Sequence, residues 1–217
     1  MTHILKNCNQ IFIDFDGVIV DSNKFKEDAI ANAITKLLGH TKNNIDAIEY
    51  FNINAGISRK KKLELFFKDD DINQIMKIYS KECKNFFSTA NPTNGLIEFL
   101  KYINIKHKKI KKYILSGGEK GEIEYFLKKN SLFDFFDEIL ASDKSKVNHL
   151  KEKQVERDDI FIGDSKNDLQ ASIKSGIKFI LFEGYKSLKS FPQDELIKKN
   201  IIYKTKNFES LIYLLSQ

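Results

Sequence analysis

The sequence has few cysteines and no long hydrophobic segment. Cys8 and Cys83 are its only cysteines, and they predict neither a disulfide framework nor a zinc site; their isolation is typical of a reducing cytosol. No stretch approaches the roughly 18 apolar residues that suggest a membrane span. Residues 1–10 lack the apolar centre of a signal peptide. We therefore expect a cytoplasmic protein that does not cross a membrane.

Arginine is also scarce, although the formal net charge of the 217 residues is +6. Arg59 and Arg157 are the only arginines, whereas surfaces that recognise nucleic acid usually contain more, because the planar guanidinium matches phosphate. We therefore attribute the charge to solvated lysines, including the basic runs at 59–62 and 106–112, and do not expect nucleic acid as a partner. The length fits one large α/β domain, or a core with a small cap.

Residues 11–18 are the most informative stretch. Residues 11–15 form a short, β-branched and aromatic run before a glycine, which predicts a buried strand. Asp14 and Asp16, two residues apart, should point to the same side of an extended chain at its carboxyl end. Ligands bind at that end of open α/β sheets. Two like charges so close require a metal, a proton or a positive partner.

The pattern of apolar residues divides the chain into two parts. Helical spacing predicts four helices and no strand in residues 21–90, the first of them capped by Asp21 and Ser22 and the third spanning residues 59–67. The apolar face of the fourth helix is expected to consist of Ile72, Ile75, Met76, Tyr79, Cys83, Phe86 and Phe87. Strands and helices alternate after residue 91, which favours a parallel sheet covered on both faces. We predict an α/β fold: a Rossmann-like, doubly wound parallel core (1–20 and 91–217) with a small all-helical cap (21–90) inserted after the first strand. Further strands are expected at 111–115, 137–141, 159–162, 178–182 and 200–203.

Each of the next three predicted strands leads to polar residues. Ser116 is followed by two glycines, whose amides can approach an anion. Lys144 and Lys146 follow the third strand, and Asp164 and Asp168 lie in a turn at the start of a helix. A parallel sheet brings these strand ends to one edge.

Carboxylates suit Mg²⁺, while the hydroxyl, the amides and a lysine suit phosphate oxygens. One aspartate can be a nucleophile and another a general acid and base, so the set indicates phosphoryl transfer.

The sequence resembles the haloacid dehalogenase-like hydrolases, because four motifs occur in the family's order. They are Asp14-Phe15-Asp16-Gly17-Val18, Leu115-Ser116-Gly117, Lys146 or Lys144, and Gly163-Asp164-Ser165-Lys166-Asn167-Asp168. The resemblance implies the Rossmann-like core, an aspartyl-phosphate intermediate and Mg²⁺ as cofactor.

The resemblance also implies a role for each motif residue. Asp14 would be the nucleophile and a metal ligand; Asp16 would be the general acid and base and would bind the metal through its backbone carbonyl. Ser116 and the Gly117 amide would bind phosphate, and a lysine would steady the nucleophile. Asp164 and Asp168 would complete the metal site. Asp168 has an alternative as a plain acidic residue in the first turn of a helix.

The motif-three lysine is open between Lys144 and Lys146. We favour Lys146, because it begins a helical pattern with Val147 and Leu150, as the family's lysine usually does.

The long insertion between the first two motifs resembles the helical C1-type cap, which implies a small soluble substrate. Within it, Gly56-Ile57-Ser58-Arg59 resembles the segment that holds sugar phosphates in β-phosphoglucomutase-like enzymes, so Arg59 is a candidate substrate-binding residue or, alternatively, a surface residue at a helix start. Asn52 and Asn54 are further candidates.

We expect a Mg²⁺-dependent phosphatase of a small phosphomonoester, such as a sugar phosphate or phosphoglycolate, acting as a monomer or small homo-oligomer. A phosphosugar mutase is the first alternative. A weakly active or inactive binding protein that uses its basic surface is the second.

Overall fold

A computed structural model describes residues 4–54, 57–185 and 200–216. Its centre is a six-stranded sheet in the order β3-β2-β1-β4-β5-β6, and every neighbouring pair is parallel. The strands are β1 (Gln10–Ile13), β2 (Lys111–Leu115), β3 (Glu138–Leu140), β4 (Ile160–Gly163), β5 (Lys178–Phe182) and β6 (Ile201–Thr205). Because β1 lies between β2 and β4, the segments that follow these three strands meet at one edge.

Helices cover both faces of the sheet. Alternate residues of β1 belong to different hydrophobic clusters: Ile11 and Ile13 to one and Phe12 to the other. The first cluster includes residues of α5 (Leu96–Lys106), α6 (Lys120–Lys129) and α9 (Phe208–Leu215), and the second includes residues of α7 (Lys146–Glu152) and α8 (Lys166–Ser175). The predicted doubly wound α/β core is therefore confirmed.

Four helices lie between β1 and α5 in the described residues, as predicted. They are α1 (Asn23–Leu38), α2 (Lys42–Ile53), α3 (Arg59–Leu63) and α4 (Asp69–Phe87). The buried face of α4 consists of Ile72, Ile75, Tyr79, Cys83 and Phe87, which the helical spacing of the sequence indicated.

The four helices share a hydrophobic cluster with the sheet. Phe15, directly after β1, contacts Phe87 of α4 with ring centroids 5.6 Å apart and Phe126 of α6 at 5.3 Å. These three rings join the helical segment to the rest of the molecule. None of the helices in the described residues is long and apolar enough to cross a membrane.

Besides differences of one or two residues in strand bounds, the structure differs from the local predictions in three places. The third helix was expected to extend to residue 67 but ends at Leu63. Ser22 occupies the N-cap position of α1, but its side chain does not cap the helix; its hydroxyl donates a 2.6 Å hydrogen bond to Asp16. A short 3-10 helix (Phe133–Phe135) was not predicted.

Candidate active site

Asp14 lies at the carboxyl end of β1. Its backbone N–H donates to the carbonyl of Ile162 in β4 at 2.9 Å, so the strand pairing extends into the aspartate. Its carboxylate accepts a 2.8 Å hydrogen bond from the Phe15 amide and is buried. Burial, followed by the nearby carboxylate of Asp168, raises the pKa of Asp14, although Lys146 opposes the rise.

Three buried carboxylates form a cluster beside this strand end. One oxygen from each of Asp14, Asp164 and Asp168 lies within 4.8 Å of the others. Asp164 follows β4 and accepts a 2.7 Å hydrogen bond from the side-chain amide of Asn23. Carboxylate oxygens in such a group are the ligands that Mg²⁺ prefers, and a cation would offset their mutual repulsion. The donor set therefore fits a hard divalent cation.

Lys146 lies between two of these acids. Its Nζ is 2.9 Å from Oδ1 of Asp14 and 2.5 Å from Oδ1 of Asp168, and the side chain is buried. Burial alone would lower the pKa of Lys146, but Asp14 and Asp168 raise it, so the ammonium form is maintained. Lys144, the alternative, is exposed and pairs with Glu152 at 2.7 Å. The structure thus brings Lys146, and not Lys144, to the acid cluster.

Asp168 caps the start of α8 and also belongs to the acid cluster. Its Oδ2 accepts hydrogen bonds from the amide (3.0 Å) and hydroxyl (2.7 Å) of Ser165, which forms a capping box at the start of α8. Its Oδ1 accepts from Lys146. The helix cap therefore fixes the carboxylate in the orientation that meets the lysine.

Asp16 belongs to a different network from Asp14. Ser22 donates to Oδ1 of Asp16 at 2.6 Å, and Lys26 donates to Oδ2 at 2.6 Å. Burial alone would raise the pKa of Asp16, but the Lys26 ammonium and these hydrogen bonds lower it. The carboxylate of Asp16 is not part of the acid cluster among the described residues; the family resemblance assigned only its backbone carbonyl to the metal.

Ser116 follows β2 and is buried. Its amide donates to Leu140 of β3 at 2.9 Å, and its hydroxyl oxygen accepts from the Gly118 amide at 3.0 Å. Ser116 lines a cavity of about 410 Å³ together with Gly117 and Gly118. Asp14, Asp16, Lys146 and Asp164 line the same cavity from the sheet edge. The size is in the range of small-molecule sites.

The helical segment between β1 and α5 also lines this cavity. Residues of α2 and α3 and of the chain between them contribute: Phe51, Asn52, Ile53, Asn54, Ile57, Arg59 and Lys62. Asn54 donates its side-chain amide to the Tyr50 carbonyl at 2.9 Å, whereas the buried Oδ1 of Asn52 has no hydrogen-bond partner within residues 4–54, 57–185 and 200–216. Gly56, part of the segment compared with sugar-phosphate mutases, lies outside the described residues.

Arg59 is buried and bound to a core helix. Its guanidinium donates to the two carboxylate oxygens of Glu122 in α6 at 2.7 and 2.5 Å and lies 4.6 Å from the Tyr79 ring centroid. The alternative of a surface residue is therefore wrong, since Arg59 is only 4% exposed. The guanidinium N–H groups that face Glu122 are therefore already hydrogen-bonded to a carboxylate of the protein.

Lys62 is a cavity residue that sequence reasoning missed. The run at 59–62 was expected to be a solvated face, but Arg59 and Lys62 are buried while Lys60 and Lys61 are exposed. The spacing i, i+3 places the two buried residues on one helix face. That spacing was the available signal, but it does not reveal which face packs inward.

The sequence profile of one family covers most of these residues. The chain belongs to the haloacid dehalogenase-like hydrolases, whose profile matches residues 11–182. This range contains Asp14, Ser116, Lys146 and Asp164, so the predicted membership is confirmed. No curated protein matches the sequence.

Several solved structures share the fold at low sequence identity. A haloacid dehalogenase-like family protein from Streptococcus pneumoniae is 20% identical, with a TM-score of 0.67 and coverage of 95% of this chain and 97% of that chain. CbbY from Rhodobacter sphaeroides, in complex with phosphate, is 15% identical, with a TM-score of 0.72 and coverage of 97% and 100%. A Haemophilus somnus protein described as a predicted phosphoglycolate phosphatase is 14% identical, with a TM-score of 0.70 and coverage of 97% and 98%.

Proposed function

We propose that the protein is a Mg²⁺-dependent phosphatase that hydrolyses a small phosphomonoester through an aspartyl-phosphate on Asp14. The observation that carries the proposal is the meeting of the Asp14, Asp164 and Asp168 carboxylates with Lys146 beside a cavity that Ser116 also lines. Membership of a hydrolase family and the phosphate bound by the similar CbbY agree with it.

Asp14, Asp164 and Asp168 would hold Mg²⁺, with Asp16 contributing its backbone carbonyl. Bound there, the cation would keep Asp14 ionised and neutralise charge on the phosphate oxygens. Ser116 and the Gly117 amide bind these oxygens from the other side, and Lys146 steadies both the nucleophile and the phosphate.

In the first step, a carboxylate oxygen of Asp14 forms a bond to phosphorus, and the bond from phosphorus to the ester oxygen breaks. Asp16 gives a proton to the leaving oxygen. In the second step, Asp16 takes a proton from water as the water oxygen attacks phosphorus, which releases phosphate and restores Asp14. The Lys26 ammonium favours the ionised form of Asp16. The first step therefore requires Lys26 to leave Asp16 when the substrate binds.

The helices of residues 21–90 act in this proposal as a cap over the site. Their residues line the same cavity as the strand ends, and its volume of about 410 Å³ suits a metabolite rather than a macromolecule. The substrate class is thus a small phosphorylated compound, such as a sugar phosphate or phosphoglycolate.

The test is phosphate release from a panel of small phosphomonoesters, with Mg²⁺ and with a chelator in its place, for the native protein and Asp14→Asn. We expect release that requires Mg²⁺ and is lost in Asp14→Asn. Conversion of β-glucose 1-phosphate into an isomer without free phosphate would instead establish the mutase. Release that persists unchanged in Asp14→Asn would contradict the proposal.

A further inference from the structure

Lys62 differs from the other buried lysines of the described residues. Lys112 has a carboxylate oxygen of Asp137 at 4.0 Å, and Lys146 lies between Asp14 and Asp168. Lys62 is only 5% exposed and has no carboxylate within 4.0 Å in the part of the chain that the structure describes. Its ammonium donates to the Phe51 carbonyl at 3.1 Å and lies 3.4 Å from the Phe51 ring centroid.

The electrostatic surroundings of this ammonium are unfavourable. Burial, and then the positive charges of Arg59 and Lys26, lower the pKa of Lys62 to about 7, although the negative charge of Asp16, which forms no ion pair with Lys62, opposes the shift. A buried charge ordinarily requires an opposite charge as well as hydrogen bonds. Because Lys62 lines the cavity, a ligand in that cavity can supply the missing negative charge.

Arg59 does not provide the same binding capacity. Two of its guanidinium nitrogens are bound to the carboxylate of Glu122, and the group stacks against Tyr79. Of the two buried basic residues on α3, Lys62 is therefore the one that has no ion pair with a carboxylate among the described residues.

A second observation points to a ligand at the same place. Asn52 follows Phe51, whose carbonyl receives the Lys62 hydrogen bond, and it lines the same cavity. Its Oδ1 is buried and has no partner among the described residues. A buried polar atom without a partner is costly, so a donor on a bound molecule is the expected complement.

We propose that Lys62 is a specificity-determining residue that binds a second anionic group of the substrate, with Asn52 accepting a hydrogen bond from a hydroxyl nearby. The inference rests on the proposed function and narrows it. The substrate is a phosphomonoester whose leaving part carries a carboxylate or a second phosphate, rather than a neutral alcohol.

Matched ligand pairs test this subsite directly. Glycerol 3-phosphate and 3-phosphoglycerate differ by a hydroxymethyl group in place of a carboxylate, and fructose 6-phosphate and fructose 1,6-bisphosphate differ by the second phosphate. Dissociation constants are measured by calorimetry with Mg²⁺ in the Asp14→Asn protein, which does not depend on turnover. We expect about tenfold tighter binding of the anionic member of at least one pair, since a hydrogen bond to a charged group contributes about 1.5 kcal/mol or more. The pair that shows the difference identifies the anion.

Variants at Lys62 assign the preference to this residue. In the same Asp14→Asn background, Lys62→Met should weaken binding of the anionic member about tenfold and leave the neutral member within about twofold. Lys62→Arg should keep the preference, and the exposed Lys61→Met is the matched control without effect. Equal affinities within both pairs, or an equal loss for both members in Lys62→Met, would overturn the proposal. If Lys62→Met does not fold, the comparison of the two affinities within each pair in the Asp14→Asn protein still tests whether the site prefers a second anionic group.

The same ligands separate this inference from the proposed function. Phosphate release by the native protein that needs Mg²⁺ but does not discriminate within either pair would overturn the subsite alone. Absence of release from every ester would overturn the phosphatase, while the affinities in Asp14→Asn still decide whether Lys62 binds an anion.

Discussion

The ammonium of Lys146 is held by Asp14 and Asp168, whereas that of Lys144, two residues earlier, is exposed beside Glu152. We predict that Lys146→Met lowers kcat by about 100-fold or more, because a preorganised donor at the reacting phosphate is lost. Lys144→Met should change kcat by no more than about twofold, because exposed ion pairs contribute little. Initial rates of phosphate release check both; comparable losses in the two variants would refute the assignment of Lys146.

At this scale, the sequence predicts cavity residues that belong to strand-end motifs better than it predicts cavity residues of the helical segment. Four site residues lie at or after the carboxyl ends of predicted strands: Asp14, Ser116, Lys146 and Asp164. Their meeting at one edge follows once the strands are taken to be parallel, because the carboxyl ends of parallel strands lie at the same edge of the sheet. Whether Lys62 is buried depends on which face of a short helix packs inward, and a run of basic residues does not reveal that face. Ser22 was expected to accept a hydrogen bond from the backbone at the start of a helix, but its hydroxyl donates to Asp16, a contact that the local sequence does not reveal.

Gly17 connects the first strand to the α1 helix in a conformation that few other residues adopt. Its φ is +77°, and a Cβ would lie 2.1 Å from Oδ2 of Asp164 and 2.2 Å from Nδ2 of Asn23. The close approach places the Gly17 backbone against a side chain of the acid cluster. Any larger residue must displace Asp164 or Asn23.

We therefore predict that Gly17→Ala raises the Mg²⁺ concentration needed for half-maximal phosphate release about tenfold or more. The left-handed conformation should also lower the free energy of unfolding by about 1–2 kcal/mol. Gly121→Ala in α6 is the matched control, since nothing lies within 4 Å of its Cβ and alanine favours a helix. Activity titrations with Mg²⁺ and urea unfolding test both; an unchanged Mg²⁺ requirement in Gly17→Ala would contradict this role.

The bounds of the elements show what local sequence determines. Strands β2 and β5 have the predicted bounds, because each is a short apolar run that ends at polar or glycine residues. The third helix ends four residues before its predicted end although the apolar residues continue, and it packs against α2 and α4. Apolar spacing alone therefore does not determine where a short helix ends. The strand order was not predicted, because it depends on contacts between distant residues.

Across the whole molecule, the pair of Arg59 and Glu122 connects the helical segment to the core. Both side chains are largely buried, at 4% and 12% exposure, and the pairing is bidentate. Removing one partner leaves the other charge buried without compensation, which costs about 3–5 kcal/mol.

We predict that Arg59→Met and Glu122→Met each lower the free energy of unfolding by about 3 kcal/mol. The double variant should be more stable than the sum of the two losses implies, because no unpaired charge remains. Chemical denaturation of the native protein and the three variants completes the cycle. If the two single losses simply add, the ion pair does not couple the segment to the core.

The central claim is that Asp14 itself carries the phosphoryl group during turnover. The most direct measurement quenches the Mg²⁺-loaded protein in acid during turnover of its best ester, digests it and locates the phosphorylated residue by mass spectrometry. The account predicts a phosphoryl group on the peptide that contains Asp14, absent without Mg²⁺ and absent in Asp14→Asn. A phosphoryl group on another residue would contradict the account. So would a burst of product, which indicates a covalent intermediate, without a phosphoryl group on any peptide.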